Sequence, residues 1–131
     1  MTRIVIERLD HLVLTVRDIE ATCAFYEEVL GTERRGFGKG RTALHYGRQK
    51  INLHPHPTPI DLVAEQPLPG SADLCFVTGQ DIGAVIAHLD ACGVPIEWGP
   101  GARTGAEGPI TSVYCRDPDN NLIEIASDRR D

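Results

Sequence analysis

Aromatic residues are scarce in this chain. Phe, Tyr and Trp make up 5% of its 131 residues, and Trp98 is the sole tryptophan. That scarcity leaves few rings with which to stack a ligand. No apolar run approaches the ~18–20 residues that a membrane-spanning helix needs. The first residues lack a signal-peptide apolar region, because Glu7, Arg8, Asp10 and Arg17 interrupt it. A cytoplasmic location and no membrane partner are the resulting expectations. Positive charge is in deficit, with 13 Lys and Arg against 19 Asp and Glu and a net charge of −6. A general nucleic-acid binder is therefore excluded, since nothing neutralises a phosphate backbone. The four cysteines, Cys23, Cys75, Cys92 and Cys115, form no Cys-x-x-Cys pair. Each sits in an apolar pattern, as a small hydrophobe does, rather than in a zinc or redox motif.

What is present is a pattern written twice. His11-Leu12-Val13-Leu14-Thr15-Val16 alternates as a strand does, and Asp18-Ile19 then opens an apolar run of helical period ending near Gly31. Almost half the chain later, Asp73-Leu74-Cys75-Phe76-Val77-Thr78 alternates, and Asp81-Ile82 opens a second helical run ending at Gly93. The expected elements are a strand over 7–16 and a helix over 18–30, with strands near 33–38, 41–47 and 50–54. The second half is expected to hold a strand over 73–78, a helix from Asp81 to about Cys92, a short extended piece near 94–98, and strands near 110–116 and 121–126. Between the halves, residues 55–69 hold five of the nine prolines. A segment so poor in backbone donors cannot run through a central sheet. These signals divide one domain into module one (1–55), a linker (56–70) and module two (71–131). The expected class is α+β, two β-α-β-β-β modules forming a half-open barrel around a metal and substrate cavity. The basic cluster Arg34, Arg35, Lys39, Arg41, Arg48 and Lys50 is expected to be a solvated hairpin edge.

The candidate functional residues stand at matching places in the two modules. His11 and Asp73 begin the first strands; Asn52 and Glu124 lie in the last ones. Glu124 stands between Ile123 and Ile125, so a strand that turns both isoleucines toward its helix turns the carboxylate away from it. An ionised carboxylate in a desolvated cleft requires a partner. Imidazole plus carboxylate suits a divalent first-row metal, so His11 and Glu124 are candidate ligands. His54 shares a face with Asn52 and is a candidate third ligand, with Asp73 a fourth. His56 continues that face into the linker and is expected in solvent; His45 and His88 are expected in surface or packing roles. The segment Gly99–Gly108 is expected to be a glycine-rich loop that admits close backbone approach, with Arg103 available to clamp a carboxylate or carbonyl. It lacks phosphate-loop spacing and a lysine, which excludes nucleotide cradling.

Three stretches carry a family resemblance: Leu9-Asp10-His11-Leu12-Val13-Leu14-Thr15-Val16, Phe25-Tyr26-Glu27-Glu28-Val29-Leu30-Gly31, and Arg116-Asp117-Pro118-Asp119-Asn120-Asn121-Leu122-Ile123-Glu124. In this order the chain resembles the vicinal oxygen chelate superfamily, which gathers glyoxalase I, bleomycin-resistance proteins and extradiol dioxygenases. The resemblance implies paired modules around a cavity, a divalent metal (Ni, Zn, Mn or Fe), a small-molecule substrate and a homodimer. It places His11 and Glu124 at metal-ligand positions. Asn52 stands where glyoxalase I proteins usually carry glutamate, and Asp73 where many members carry histidine; His54 is available to replace Asn52. The function implied is a metal-dependent lyase or isomerase of the glyoxalase I type, acting on a substrate with vicinal oxygens such as a 2-oxoaldehyde hemithioacetal. In that reaction Glu124 or Asp73 carries the proton, and Asn52 and Arg103 contact substrate. The alternatives are an extradiol ring-cleaving dioxygenase and a non-catalytic protein that sequesters a drug.

Overall fold

The structure is a computed structural model, and it describes residues 2–130. The chain divides into two compact units, Met1–Leu68 and Pro69–Asp131. The division falls inside the proline-rich segment.

The first unit runs β1 (His11–Val16), α1 (Ile19–Leu30), β2 (Glu33–Phe37), β3 (Arg41–Tyr46) and β4 (Gln49–Pro55). Its sheet has the order β1-β4-β3-β2, with β1 parallel to β4 and the other neighbours antiparallel. α1 begins where Asp18 accepts a hydrogen bond from the Ala21 amide at 3.0 Å. It ends at Gly31, whose φ of 67° is the left-handed conformation a glycine adopts without penalty. Arg34 on β2 makes a bidentate pair with Glu20 on α1, which identifies the side of the sheet that faces the helix. Leu44 and Ile51 lie in the same cross-strand row as Arg34 and are fully buried. Each contributes roughly 2 kcal/mol through that burial.

The first strand starts at His11 rather than at residue 7. The ladder with β4 begins at His11↔Lys50, and the Gln49 side chain closes it by donating to the Leu9 carbonyl at 2.9 Å. Residues 2–10 belong to no strand, and Ile4, Val5 and Ile6 are largely exposed.

The second unit repeats the order: β5 (Asp73–Thr78), α2 (Ile82–Ala91), β6 (Trp98–Gly105), β7 (Gly108–Arg116) and β8 (Leu122–Ser127), in a sheet ordered β5-β8-β7-β6. Val113, Cys115, Ile123 and Ile125 are buried on the side that packs α2, together with Val85 and Leu89. The expected loop over Gly99–Gly108 is instead most of β6 and its turn. Gly101, Ala102 and Arg103 find ladder partners in Ser112, Thr111 and Ile110, and pairing of this kind overrides glycine's weak strand preference. Gly101 does permit a close approach, but by Trp98: a Cβ there would collide with the indole.

Both units are four-stranded mixed sheets with one helix apiece, the α+β arrangement expected from the duplicated pattern. Among the described residues no helix is long and apolar enough to cross a membrane.

Candidate functional site

Residues paired across a ladder project to the same face. In the first unit the face away from α1 therefore carries three rows. His11, Lys50, His45 and Glu33 form one, Val13, Asn52, Ala43 and Arg35 the next, and Thr15 and His54 the third. In the second unit the corresponding rows are Asp73, Leu122 and Arg116; Cys75, Glu124, Tyr114 and Trp98; and Val77, Ala126, Ser112 and Gly101. His11 thus stands to Asn52 as Asp73 stands to Glu124, one row back on the neighbouring parallel strand. The duplication extends to the register of the residues singled out by the sequence.

His11 Nδ1 lies 2.8 Å from Asp10 Oδ2. In the neutral imidazole this fixes the proton on Nδ1 and leaves Nε2 as the lone-pair nitrogen, the form that binds a metal. The hydrogen bond to His11 in turn holds the Asp10 carboxyl below its usual range. Glu124 accepts from Ser112 Oγ at 2.6 Å through Oε2, which orients the carboxylate on the sheet. Cys75 lies beside it in the same row. Burial, then the charge and hydrogen bond of Glu124, push that thiol up to about 11, so it stays protonated at neutral pH.

Asn52 and His54 are 5% and 4% exposed, and Asn52 Oδ1 and His54 Nδ1 have no hydrogen-bond partner. His54 Nε2 is 3.2 Å from Arg41 Nη2. A guanidinium only donates, so Nε2 is the acceptor and Nδ1 carries the ring proton. The lone pair that a metal would use at Nε2 is taken by Arg41. Arg41 and Lys50, expected in solvent at a hairpin edge, both pack on Phe37, 4.7 and 4.0 Å from the ring centroid. Of their basic neighbours, Arg34 and Arg35 are paired with Glu20 and Glu33. Nothing in the strand pattern identified Phe37 as the ring these cations would share.

Arg103 is held within its own hairpin. It stacks 3.9 Å over Trp98, donates from Nε to Tyr114 Oη at 3.2 Å and from Nη1 to the Ala102 carbonyl at 3.2 Å. Trp98 and Tyr114 meet edge to face at 5.7 Å. Ser112, Tyr114 and Cys75 have no motif of their own; only the rows that place them beside Glu124 reveal them.

Each unit carries donors of a kind that a divalent cation accepts: in the first, an imidazole with its lone pair directed by a carboxylate and a buried amide oxygen without a partner; in the second, a carboxylate held by a hydroxyl. Among the described residues, no group of three or more His, Cys, Asp or Glu side chains is gathered closely enough to hold a metal.

Burial, followed by the charge of Arg41, lowers the pKa of His54 below 6.5. The native state then binds fewer protons than the unfolded chain over that interval. Its stabilisation is complete above pH 6.5 and is lost as pH falls through 6.5 toward and past the lowered value. The melting temperature is therefore expected to decline between about pH 7.5 and pH 5, and to decline less in His54→Gln. Superimposable profiles for the two proteins would show that His54 does not titrate with folding. The carboxyls lowered by ion pairing, Glu20, Glu33 and Glu97, act only below 4.5.

Residues 8–125 match the model of the glyoxalase/bleomycin resistance protein/dioxygenase superfamily. The chain belongs to that superfamily. It is 52% identical over 124 residues to virulence protein STM3117 of Salmonella typhimurium, covering 95% of this chain and 86% of the relative. Its fold superposes on an integron cassette protein from V. cholerae with a TM-score of 0.94 at 50% identity, covering 97% of this chain and 99% of that one. A lactoylglutathione lyase from Agrobacterium tumefaciens shares the fold at a TM-score of 0.71 and 23% identity, covering 92% and 93% of the two chains.

Proposed function

We propose that the protein is a metal-dependent lyase or isomerase of the glyoxalase I type, acting on a small substrate with adjacent oxygen atoms. The observation that carries this reading is the shared register: His11 with Asn52 and Asp73 with Glu124 occupy equivalent places, each pair on the face its helix leaves uncovered. His11 and Glu124 would hold the metal. Asp10 directs the His11 lone pair, and Ser112 orients Glu124. A divalent ion bound there supplies Lewis acidity toward the substrate oxygens. Asp73, with no hydrogen-bond partner among the described residues, carries a proton between neighbouring substrate carbons. Arg116, paired with Glu97, feels the charge of Asp73, so a cation stands near that carboxylate. Arg103 faces the substrate from its stack on Trp98 and Tyr114. The lyase named among the solved structures of similar fold supports the choice of reaction class.

Metal analysis after growth with supplied nickel, zinc, manganese or iron is expected to find a bound divalent ion. The loaded protein should convert a methylglyoxal–glutathione hemithioacetal. A protein that stays metal-free under all four supplements defeats this reading and leaves sequestration. Cleavage of a catechol without hemithioacetal turnover replaces it with ring-opening oxygenation.

A further inference from the structure

The face of the first unit that lies away from α1 holds two kinds of unfinished chemistry. The first is positive charge. Arg41 and Lys50 both pack on Phe37, and neither has an ion-pair partner among the described residues. The acids nearest in the strand pattern are already engaged, Glu33 with Arg35 and Asp10 with His11. Asn52 sits where the second unit has Glu124, so this face presents a neutral amide at the place where its duplicate presents a carboxylate. An arriving anion therefore meets no carboxylate in the Asn52 row, and the acid of the Lys50 row, Glu33, is already paired with Arg35. Packing on an aromatic ring restrains both long side chains, which reduces the entropy lost when they grip a ligand.

The second is a buried hydrogen-bond pair. His54 Nδ1–H is a donor without an acceptor, and Asn52 Oδ1 is an acceptor without a donor, both at residues more than nine-tenths buried. The two residues are alternate positions of one strand and share a face. A hydroxyl group satisfies both, because it accepts through its oxygen and donates through its hydrogen. Neither a methyl group nor a bare carboxylate does so.

Arg41 meets the His54 imidazole at Nε2, 3.2 Å away, so the cation and the unpartnered Nδ1 share one ring and a single small ligand can carry both the anion and the hydroxyl. We infer that Phe37, Arg41, Lys50, Asn52 and His54 form a subsite for a small 2-hydroxycarboxylate group. The carboxylate lies between Arg41 and Lys50, and the hydroxyl lies between His54 and Asn52. This rests on the reading that the uncovered faces of the modules receive a small oxygen-rich substrate, and it names the substrate's class.

The test uses the full chain and its Glu124→Gln variant, with lactate as probe. Propanoate, which lacks the hydroxyl, and propane-1,2-diol, which lacks the carboxylate, serve as controls. Binding is read by calorimetry and by the ring-nitrogen NMR signals of His54. Free protein is expected to show His54 protonated at Nδ1, and lactate should shift that signal in both proteins. Propanoate and the diol should bind at least about tenfold more weakly than lactate. Arg41→Ala, a change at an exposed side chain, should weaken lactate by on the order of tenfold in both backgrounds. Propanoate binding as tightly as lactate, or an unmoved His54 signal, overturns the subsite. Lactate binding that vanishes in Glu124→Gln assigns the carboxylate to the metal instead and also overturns it. Lactate binding that persists in both proteins, alongside a chain that takes up no metal, retains the subsite and rejects the lyase reading.

Discussion

Glu124→Gln is expected to reduce turnover by at least about a hundredfold and to weaken metal binding by a similar factor, while the melting temperature stays near that of the parent. The substitution keeps the size of the side chain and removes its charge. Glutamine retains a carbonyl oxygen that can accept from Ser112 Oγ, so the hydrogen bond seen at 2.6 Å has a replacement. The backbone of β8 is held independently, by the parallel ladder to β5 and the antiparallel ladder to β7. What is lost is the anionic oxygen, for which a neutral amide is a poor substitute at a divalent cation. Metal content by elemental analysis, the hemithioacetal rate and a calorimetric melt check the three parts separately. Wild-type turnover and metal content in the variant would put the chemistry elsewhere in the chain.

Asp117→Ala is expected to destabilise the second unit by roughly 3 kcal/mol, a fall of about 10 °C in melting temperature. Asp117 is 5% exposed and organises the turn between β7 and β8. Its Oδ1 accepts from the amides of Asp119 at 2.9 Å and Asn121 at 3.0 Å, and its Oδ2 from Asn121 Nδ2 at 2.8 Å. Asn121, itself 1% exposed, passes the constraint on by accepting from the Ala72 amide at 2.9 Å, just ahead of β5. Alanine leaves buried donors without acceptors, and that desolvation cost exceeds the net worth of the bonds themselves. Asp117→Asn keeps one accepting oxygen and should recover part of the loss. A denaturant melt showing Asp117→Ala within a few tenths of a kcal/mol of the parent would refute this account of the turn.

The turn also marks how far the sequence could be followed. Pro118, Asn120 and Asn121 are turn-forming residues by type, and Asn120 adopts φ 65°. That Asp117 would be the buried hub of the turn was not legible, because its bonds depend on a particular backbone path. The helices were legible almost to the residue. Asp18 and Asp81 accept from the first-turn amides, and Gly31 and Gly93 follow the last turns with positive φ. Caps act within a few residues, so local chemistry was enough to locate them. The segment after Trp98 was misread for the complementary reason. Glycines at 99, 101, 105 and 108 signal a loop when only neighbours in sequence are considered. Hydrogen bonds from β7 and the Trp98 ring over Gly101 convert most of it into a strand.

The sequence alone determined the period of each element, the duplication, and the faces on which His11, Asn52, His54, Asp73 and Glu124 lie. Alternation is a property of a single strand and needs no partner to be read. Only the tertiary structure decided the partners across strands: Arg41 on His54, Lys50 on Phe37, Ser112 on Glu124 and Arg103 on Trp98. Those contacts depend on ladder register, which comes from chain pairing over long sequence separations and which no local pattern encodes.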